Sequence, residues 1–361
     1  KLIDYLQKDG ISHALDMYTG PKRDFIEYFE DNILKPRNLD YKLMFTGPTG
    51  TNAIEAALKL ARKVTKRTNI FALMGCFHGM TMGALALTTD MASRAGAGVP
   101  LHDVTHIPAP YMFPELDTVA YMEQLLADDH SGVEKPAALV LETIQAEGGI
   151  FPFDFEWLKR IEDFCHRHEI LLIIDDIQVG CGRSGAFFSF EKAGIHPDMV
   201  ALSKSIGGYG LPMAQLLFKP ELDIWKPGEH NGTFRGNQMA FIAAKAALEF
   251  ALSTNLYESV NDKSKIVEEY MKNEILPLDE RLAVRGRGLI FGLDFSKAAP
   301  KGTCRGVVTE CFKNGLIIEQ AGRDDSVLKL MPALTISEEE LVQGLEIIKK
   351  SAQAVLARKN G

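Results

Sequence analysis

No stretch of this 361-residue chain is apolar for long enough to cross a bilayer, and none reads as a secretory signal. Positive charge is also short: 40 basic residues against 48 acidic ones leave a net charge of −8. That balance argues against a nucleic-acid or membrane-surface partner, because phosphates demand a basic face. Cysteines are few and carry no pairing pattern. Cys76, Cys165, Cys181, Cys304 and Cys311 are odd in number, scattered, and form no CxxC pair. They argue against a disulfide framework and suit reduced thiols in the cytoplasm. The cluster Cys165-His166-Arg167-His168-Glu169 has no standard zinc spacing, so no metal is assigned. Repeats and low-complexity tracts are missing as well.

What is present is an ordinary globular composition, 46% hydrophobic and 24% charged, in a chain long enough for two domains. Between residues 40 and 220, apolar runs at 69–74, 137–143, 169–174, 198–202 and 214–218 read as strands. They alternate with helical patterns at 52–66, 118–128, 155–168 and 189–193. Fully apolar strands between amphipathic helices predict a parallel sheet covered on both faces, with ligands at the carboxyl ends of its strands. From about residue 236 the pattern changes. Helices at 238–252 and 262–275, strands at 282–294, 316–319 and 327–331, and a helix at 338–356 predict a smaller α+β domain.

Several segments can carry chemistry. Thr46-Gly47-Pro48-Thr49-Gly50-Thr51-Asn52 opens a helix, with Asn52 and Glu55 at capping-box spacing. A helix start presents free N–H groups to an anion, but an ordinary capped helix has the same pattern. Asp175 and Asp176 end an apolar strand, and neighbours in a strand face opposite sides. One of the two therefore enters the crevice, where it can meet a cationic ring nitrogen or a metal, or simply be solvated. Gly180-Cys181-Gly182-Arg183-Ser184-Gly185 is formally a GxGxxG run, but two acids precede it and Ala-Phe-Phe-Ser-Phe follows. That is a poor context for a dinucleotide. Lys204 ends a strand before a Gly-rich loop; burial near a cation makes such an amine nucleophilic, while a lone strand-end lysine is usually just solvated. Phe77, just after a strand, can stack on a flat cofactor or pack in the core. Thr233, between Gly232 and Gly236, can bind phosphate or sit in a surface turn. Each signal is weak alone, and their order is specific. Asp175 and Lys204 are 29 residues apart, about one β–α–β step, which puts them on adjacent strand ends.

With these motifs in that order, the chain resembles the class III (ornithine- and 4-aminobutyrate-type) aminotransferases of pyridoxal-phosphate (PLP) fold type I. The resemblance runs from about residue 41 to 356. Within the class, four segments look most like the subgroup acting on diaminobutyrate and 2-oxoglutarate. They are 46–52, Asp176-Ile-Gln-Val-Gly-Cys-Gly-Arg183, Lys204-Ser-Ile-Gly-Gly-Tyr-Gly-Leu-Pro212 and Trp225-Lys-Pro-Gly-Glu-His-Asn-Gly-Thr233. The resemblance implies an α/β, aspartate-aminotransferase-like large domain at 1–245 with a mostly parallel sheet, and a small C-terminal domain at 246–361. It implies that Lys204 holds PLP as a Schiff base and shuttles the proton, and that Asp175 pairs with the pyridinium nitrogen. Phe77 and Ile177 flank the ring, Gln178 bonds the ring 3′-oxygen, and Gly50 and Thr51 bind the phosphate. Thr233 reaches the phosphate of a neighbouring subunit, which implies a homodimer with shared sites or a larger assembly such as a tetramer. Glu147, in Gln145-Ala-Glu-Gly-Gly149, matches the gating glutamate at the substrate carboxylate.

Two departures stand out. The family's Ser-Gly-Ser-Glu-Ala is here Thr49-Gly50-Thr51-Asn52-Ala53, and its C-terminal arginine for the 2-oxoglutarate carboxylate is Lys329. A lysine offers a point charge in place of a bidentate fork. The chain opens on Lys1, and a pocket-lining N-terminal segment of the family pattern is expected to precede it. The implied reaction moves the amino group of glutamate to aspartate 4-semialdehyde, giving 2,4-diaminobutyrate and 2-oxoglutarate, as the first step of ectoine biosynthesis in the cytoplasm. Alternatives are a diaminobutyrate enzyme of diaminopropane or siderophore synthesis, another class III ω-aminotransferase, an NAD-dependent oxidoreductase built on 180–185, and a PLP-fold protein without catalysis.

Overall fold

The computed structural model describes residues 1–15, 17–298 and 300–359. The chain divides into two compact units that are not contiguous in sequence. The first comprises Lys1–Thr143, Phe153–Cys181 and Phe190–Ser253; the second comprises Ile144–Pro152, Gly182–Ser189 and Thr254–Gly361. Residue 245, where the sequence suggested a boundary, falls inside the helix Gln238–Ser253, which belongs whole to the first unit.

The apolar runs of the first unit become strands because every position along them is buried. This holds for Ile70–Leu73, Ala138–Leu141, Met199–Leu202 and Gln215–Phe218. The sheet has seven strands. In spatial order they are Lys42–Phe45, Gln215–Phe218, Met199–Leu202, Leu171–Asp175, Ala138–Leu141, Ile70–Leu73 and Val104–Ile107. The last five pair in parallel. Gln215–Phe218 runs antiparallel to both of its neighbours. Lys42–Phe45 and Val104–Ile107 escaped the sequence reading because they are edge strands with exposed or half-buried leading residues. They therefore carry no continuous apolar run.

Helix Gly50–Thr65 covers one face of this sheet. Ala53, Ile54, Ala57, Leu58 and Ala61 recur at helical spacing and pack in one cluster with Ala72, Ile173, Ala201 and Leu216. The helix starts earlier than its sequence suggested. Thr49 is the N-cap, and Asn52 Oδ1 accepts from the Thr49 N–H (3.3 Å) and Oγ1 (2.8 Å). Glu55 plays no part in the cap; its Oε1 accepts from Thr81 Oγ1 (2.6 Å) and the Ala84 N–H (3.1 Å).

The second unit holds a four-stranded antiparallel sheet, ordered Ala283–Arg287, Ile290–Asp294, Val327–Leu330, Glu319–Ala321. The expected strand at 282–294 is a hairpin that turns at Gly288 (φ +62°), where a Cβ would lie 2.3 Å from the Arg183 carbonyl oxygen. Helices Leu256–Tyr270, Thr303–Lys313 and Glu338–Lys359 complete the unit. Residues Ile144 and Gln145 pair with Pro152 and Phe151 to form a short ladder. The GxGxxG-like run ends in turns and leads into no helix, which removes the structural basis of a dinucleotide fingerprint. Its Arg183 is buried and donates from Nη1 to the carbonyls of Leu289 (2.9 Å) and Pro332 (2.6 Å). Among the described residues, no single helix is long and apolar enough to cross a membrane.

Leu172 sits mid-strand with no exposed surface. Leu172→Ala is expected to cost about 2–5 kcal/mol and lower the thermal midpoint. An unchanged midpoint contradicts its place in the core.

Candidate active site

Asp175 is the last residue of Leu171–Asp175 and is buried, at 4% exposure. A carboxylate in such a place needs partners. Oδ1 accepts the Ile177 N–H at 3.1 Å, and Oδ2 lies 2.7 Å from His78 Nδ1. His78 is wholly buried in its turn after Ile70–Leu73, and burial by itself disfavours an imidazolium. The Asp175 carboxylate beside it outweighs burial and holds the His78 pKa well above 6.5. Burial pushes the Cys76 thiol up, so it stays neutral. The result is a buried carboxylate with a cationic ring directly behind it. His78 had no role in the sequence reading.

Lys204 stands on the adjacent strand. Asp175 is paired in register with Ala201, and Lys204 follows three residues later. Both groups thus lie at carboxyl ends of neighbouring parallel strands, as the 29-residue spacing required. Lys204 is exposed and opens the 3-10 turn Lys204–Gly207 with φ +52°. A side chain in the left-handed region marks a position that the surroundings must hold in place. Ser203 does part of this, donating from its buried hydroxyl to the Met213 carbonyl at 2.9 Å.

The helix start at Gly50 and Thr51 has no preceding turn to take its N–H groups, so they face outward. Gly50 admits a close approach, since a Cβ there would lie 2.8 Å from Ile177 Cδ1. The Thr51 hydroxyl is 2.6 Å from Thr81 Oγ1, which in turn donates to Glu55. Phe77 is half-buried, and its N–H donates to the buried Glu142 carboxylate at 3.1 Å. Ile177 and Gln178 follow Asp175 directly and are half-buried. Thr233 is exposed in a turn.

In the second unit, Lys329 is almost fully buried. Glu147 Oε1 lies 2.8 Å from its Nζ and Glu319 Oε2 lies 3.1 Å away. Burial disfavours the ammonium, but the two carboxylates more than compensate and raise the pKa. Glu319 is paired with Lys329 across the sheet, so the ladder itself brings the second acid there. The two residues expected to handle a substrate carboxylate are therefore bonded to each other, and a third joins them.

A lysine amine, a buried carboxylate with a cationic ring behind it, and a helix start thus stand at the carboxyl ends of the parallel strands, and these are groups of the kind that PLP engages. Comparison with known proteins bears on this directly. The family model for class III aminotransferases matches residues 2–352. The chain belongs to the class III aminotransferases. It is 50% identical to a diaminobutyrate–2-oxoglutarate transaminase of Sporosarcina pasteurii, covering 99% of this chain and 84% of that one. It is 51% identical to the protein of the same name from Halalkalibacterium halodurans, with the same coverage. Among solved structures, taurine:2-oxoglutarate aminotransferase from Bifidobacterium kashiwanohense, in complex with PLP and glutamate, superposes with a TM-score of 0.87 at 20% identity, covering 99% and 85% of the two chains. The fold is that of the PLP aminotransferases, and the cofactor of this aminotransferase is PLP.

The His78–Asp175 pair predicts a pH signature. Its stabilisation is fully present below the unfolded histidine value of 6.5 and is lost as pH rises through the raised folded value. The difference in thermal midpoint between wild type and His78→Gln should be widest near about pH 6 and shrink in alkali. A difference that does not change with pH contradicts the charged pair.

Proposed function

We propose that this aminotransferase moves the amino group of L-glutamate to the aldehyde of L-aspartate 4-semialdehyde, giving 2-oxoglutarate and L-2,4-diaminobutyrate. The observation that carries this reading is the near-full-length identity of about half to diaminobutyrate–2-oxoglutarate transaminases. PLP, when bound, supplies an electron sink for the carbon that loses its proton. In our reading Lys204 holds the cofactor and moves that proton. Asp175, held in place by His78, pairs with the cofactor's protonated ring nitrogen. Phe77 and Ile177 take the two ring faces, Gln178 the ring oxygen, and Gly50 and Thr51 the phosphate.

The two substrates pose a sorting problem. Glutamate reacts at its α-amine and presents a distal carboxylate, whereas the product presents an α-amino acid head at its far end. The Glu147–Lys329 pair suits a gate between them. With Glu147 on Lys329 two acids balance the cation; with Glu147 displaced, only Glu319 remains and the distal carboxylate of glutamate can take the place of Glu147. We place the enzyme in the cytoplasm, in keeping with five cysteines that form no disulfide. A homodimer in which Thr233 serves the neighbouring site fits exposed apolar side chains close in sequence to the site residues: Met80 and Met82 near Phe77, Tyr209 near Lys204, and Phe234 beside Thr233. The ectoine pathway is our choice for the product, with diaminopropane or siderophore synthesis the alternative use of the same reaction.

Lys204→Ala is expected to lose both turnover and the visible absorption of the lysine-bound cofactor; retention of both sinks the central assignment. Asp175→Asn should keep the cofactor but slow turnover by orders of magnitude, and near-normal rates count against its role. Lys329→Met should raise the KM for glutamate, and an unchanged KM removes Lys329 from the substrate site.

A further inference from the structure

The loop from Phe77 to Gly83 carries two groups of the cofactor site: Phe77, which takes a ring face in our reading, and His78, which is bonded to Asp175. Its near end is fixed by that bond and by the Phe77 N–H on Glu142. Its far end is fixed from a different element. Glu55, on helix Gly50–Thr65, accepts on Oε1 from the Thr81 hydroxyl at 2.6 Å and from the Ala84 N–H at 3.1 Å. Thr81 is the N-cap of helix Met82–Leu87 but makes no cap bond with its own side chain. Glu55 therefore supplies the acceptor that a capping side chain otherwise supplies. Two glycines leave room for the contact. A Cβ on Gly83 would overlap the Glu55 carboxylate, and one on Gly79 (φ +132°) would lie 2.5 Å from Thr51 Oγ1.

A count of protons gives this chain of groups a direction. An ionised carboxylate can only accept, so the one hydroxyl hydrogen of Thr81 goes to Glu55. In the 2.6 Å contact between Thr51 Oγ1 and Thr81 Oγ1, Thr51 is then the donor. Its hydroxyl hydrogen is committed to the loop, and what Gly50 and Thr51 keep for a phosphate is their main-chain N–H groups. We propose that Glu55 and Thr81 are positioning residues: they clamp the loop carrying Phe77 and His78 onto the helix start that takes the PLP phosphate. The ring end and the phosphate end of the cofactor site are thereby held in one geometry. The clamp rests on the placement of the cofactor given by the proposed function.

The test is the dissociation constant of PLP, read from the visible band of the lysine-bound cofactor, together with the circular dichroism of that band, which reports how the ring is seated. Thr81 is exposed, so Thr81→Val removes the hydroxyl without opening the core. Thr81→Val and Glu55→Ala are each expected to bind PLP about tenfold more weakly, the size of one lost hydrogen bond, and to diminish the dichroic band. Glu55→Gln keeps an acceptor for both donors and should return both readings to wild type. Wild-type affinity and dichroism in Thr81→Val and Glu55→Ala overturn the clamp, even where the thermal midpoint falls, because the contact then serves folding alone. An equal loss in Glu55→Gln overturns it as well. Retention of the visible band in Lys204→Ala instead overturns the cofactor placement beneath it.

Discussion

A carboxylate buried at the end of a central strand is the constraint around which the first unit is organised. Left alone, Asp175 would carry a desolvation penalty of several kcal/mol. Two donors reach it from different directions and offset that penalty: the Ile177 N–H of its own turn and the His78 ring, 97 residues earlier in the chain. The adjacent strand then delivers Lys204 in a conformation that lysine does not choose freely. These two strand ends and the helix start at Gly50 converge because the parallel sheet directs its strands, and hence their carboxyl ends, the same way.

The second unit follows the same electrostatic logic with the signs reversed. Buried Lys329 is balanced by Glu147 from a short ladder and by Glu319 from the neighbouring strand. A lysine there tolerates two acids at different angles, where an arginine would favour one bidentate partner. The residue that first looked like a weakened carboxylate site is thus a point charge shared by two acids at once. Arg285 and Arg183 are the fixed cations of this unit: each is tied to backbone carbonyls that hold turns in place.

Much of this was legible in the order of the motifs. Lys204 and Asp175 could be paired from their spacing, because a β–α–β step has a characteristic length and the strands are wholly apolar. The sheet was legible wherever both faces are covered, as at Leu172 and Val200, and illegible at the half-exposed edges. His78 left no local mark, since its role exists only through a partner nearly a hundred residues away. Glu319 was hidden for a similar reason: its contact with Lys329 comes from strand register. At the helix start, Asn52 and Glu55 mimicked a capping box, but Thr49 claimed Asn52, and Glu55 was drawn to Thr81 and Ala84. Competing partners in space decided what spacing alone left open.

The account stands most directly on where the transferred nitrogen ends up. Nitrogen-15-labelled glutamate and unlabelled aspartate 4-semialdehyde, incubated with the PLP-loaded enzyme, should yield 2,4-diaminobutyrate with the label on the nitrogen at carbon 4, resolved by NMR. Failure to form that product, or label found only on an α-nitrogen, contradicts a transamination directed at the aldehyde end.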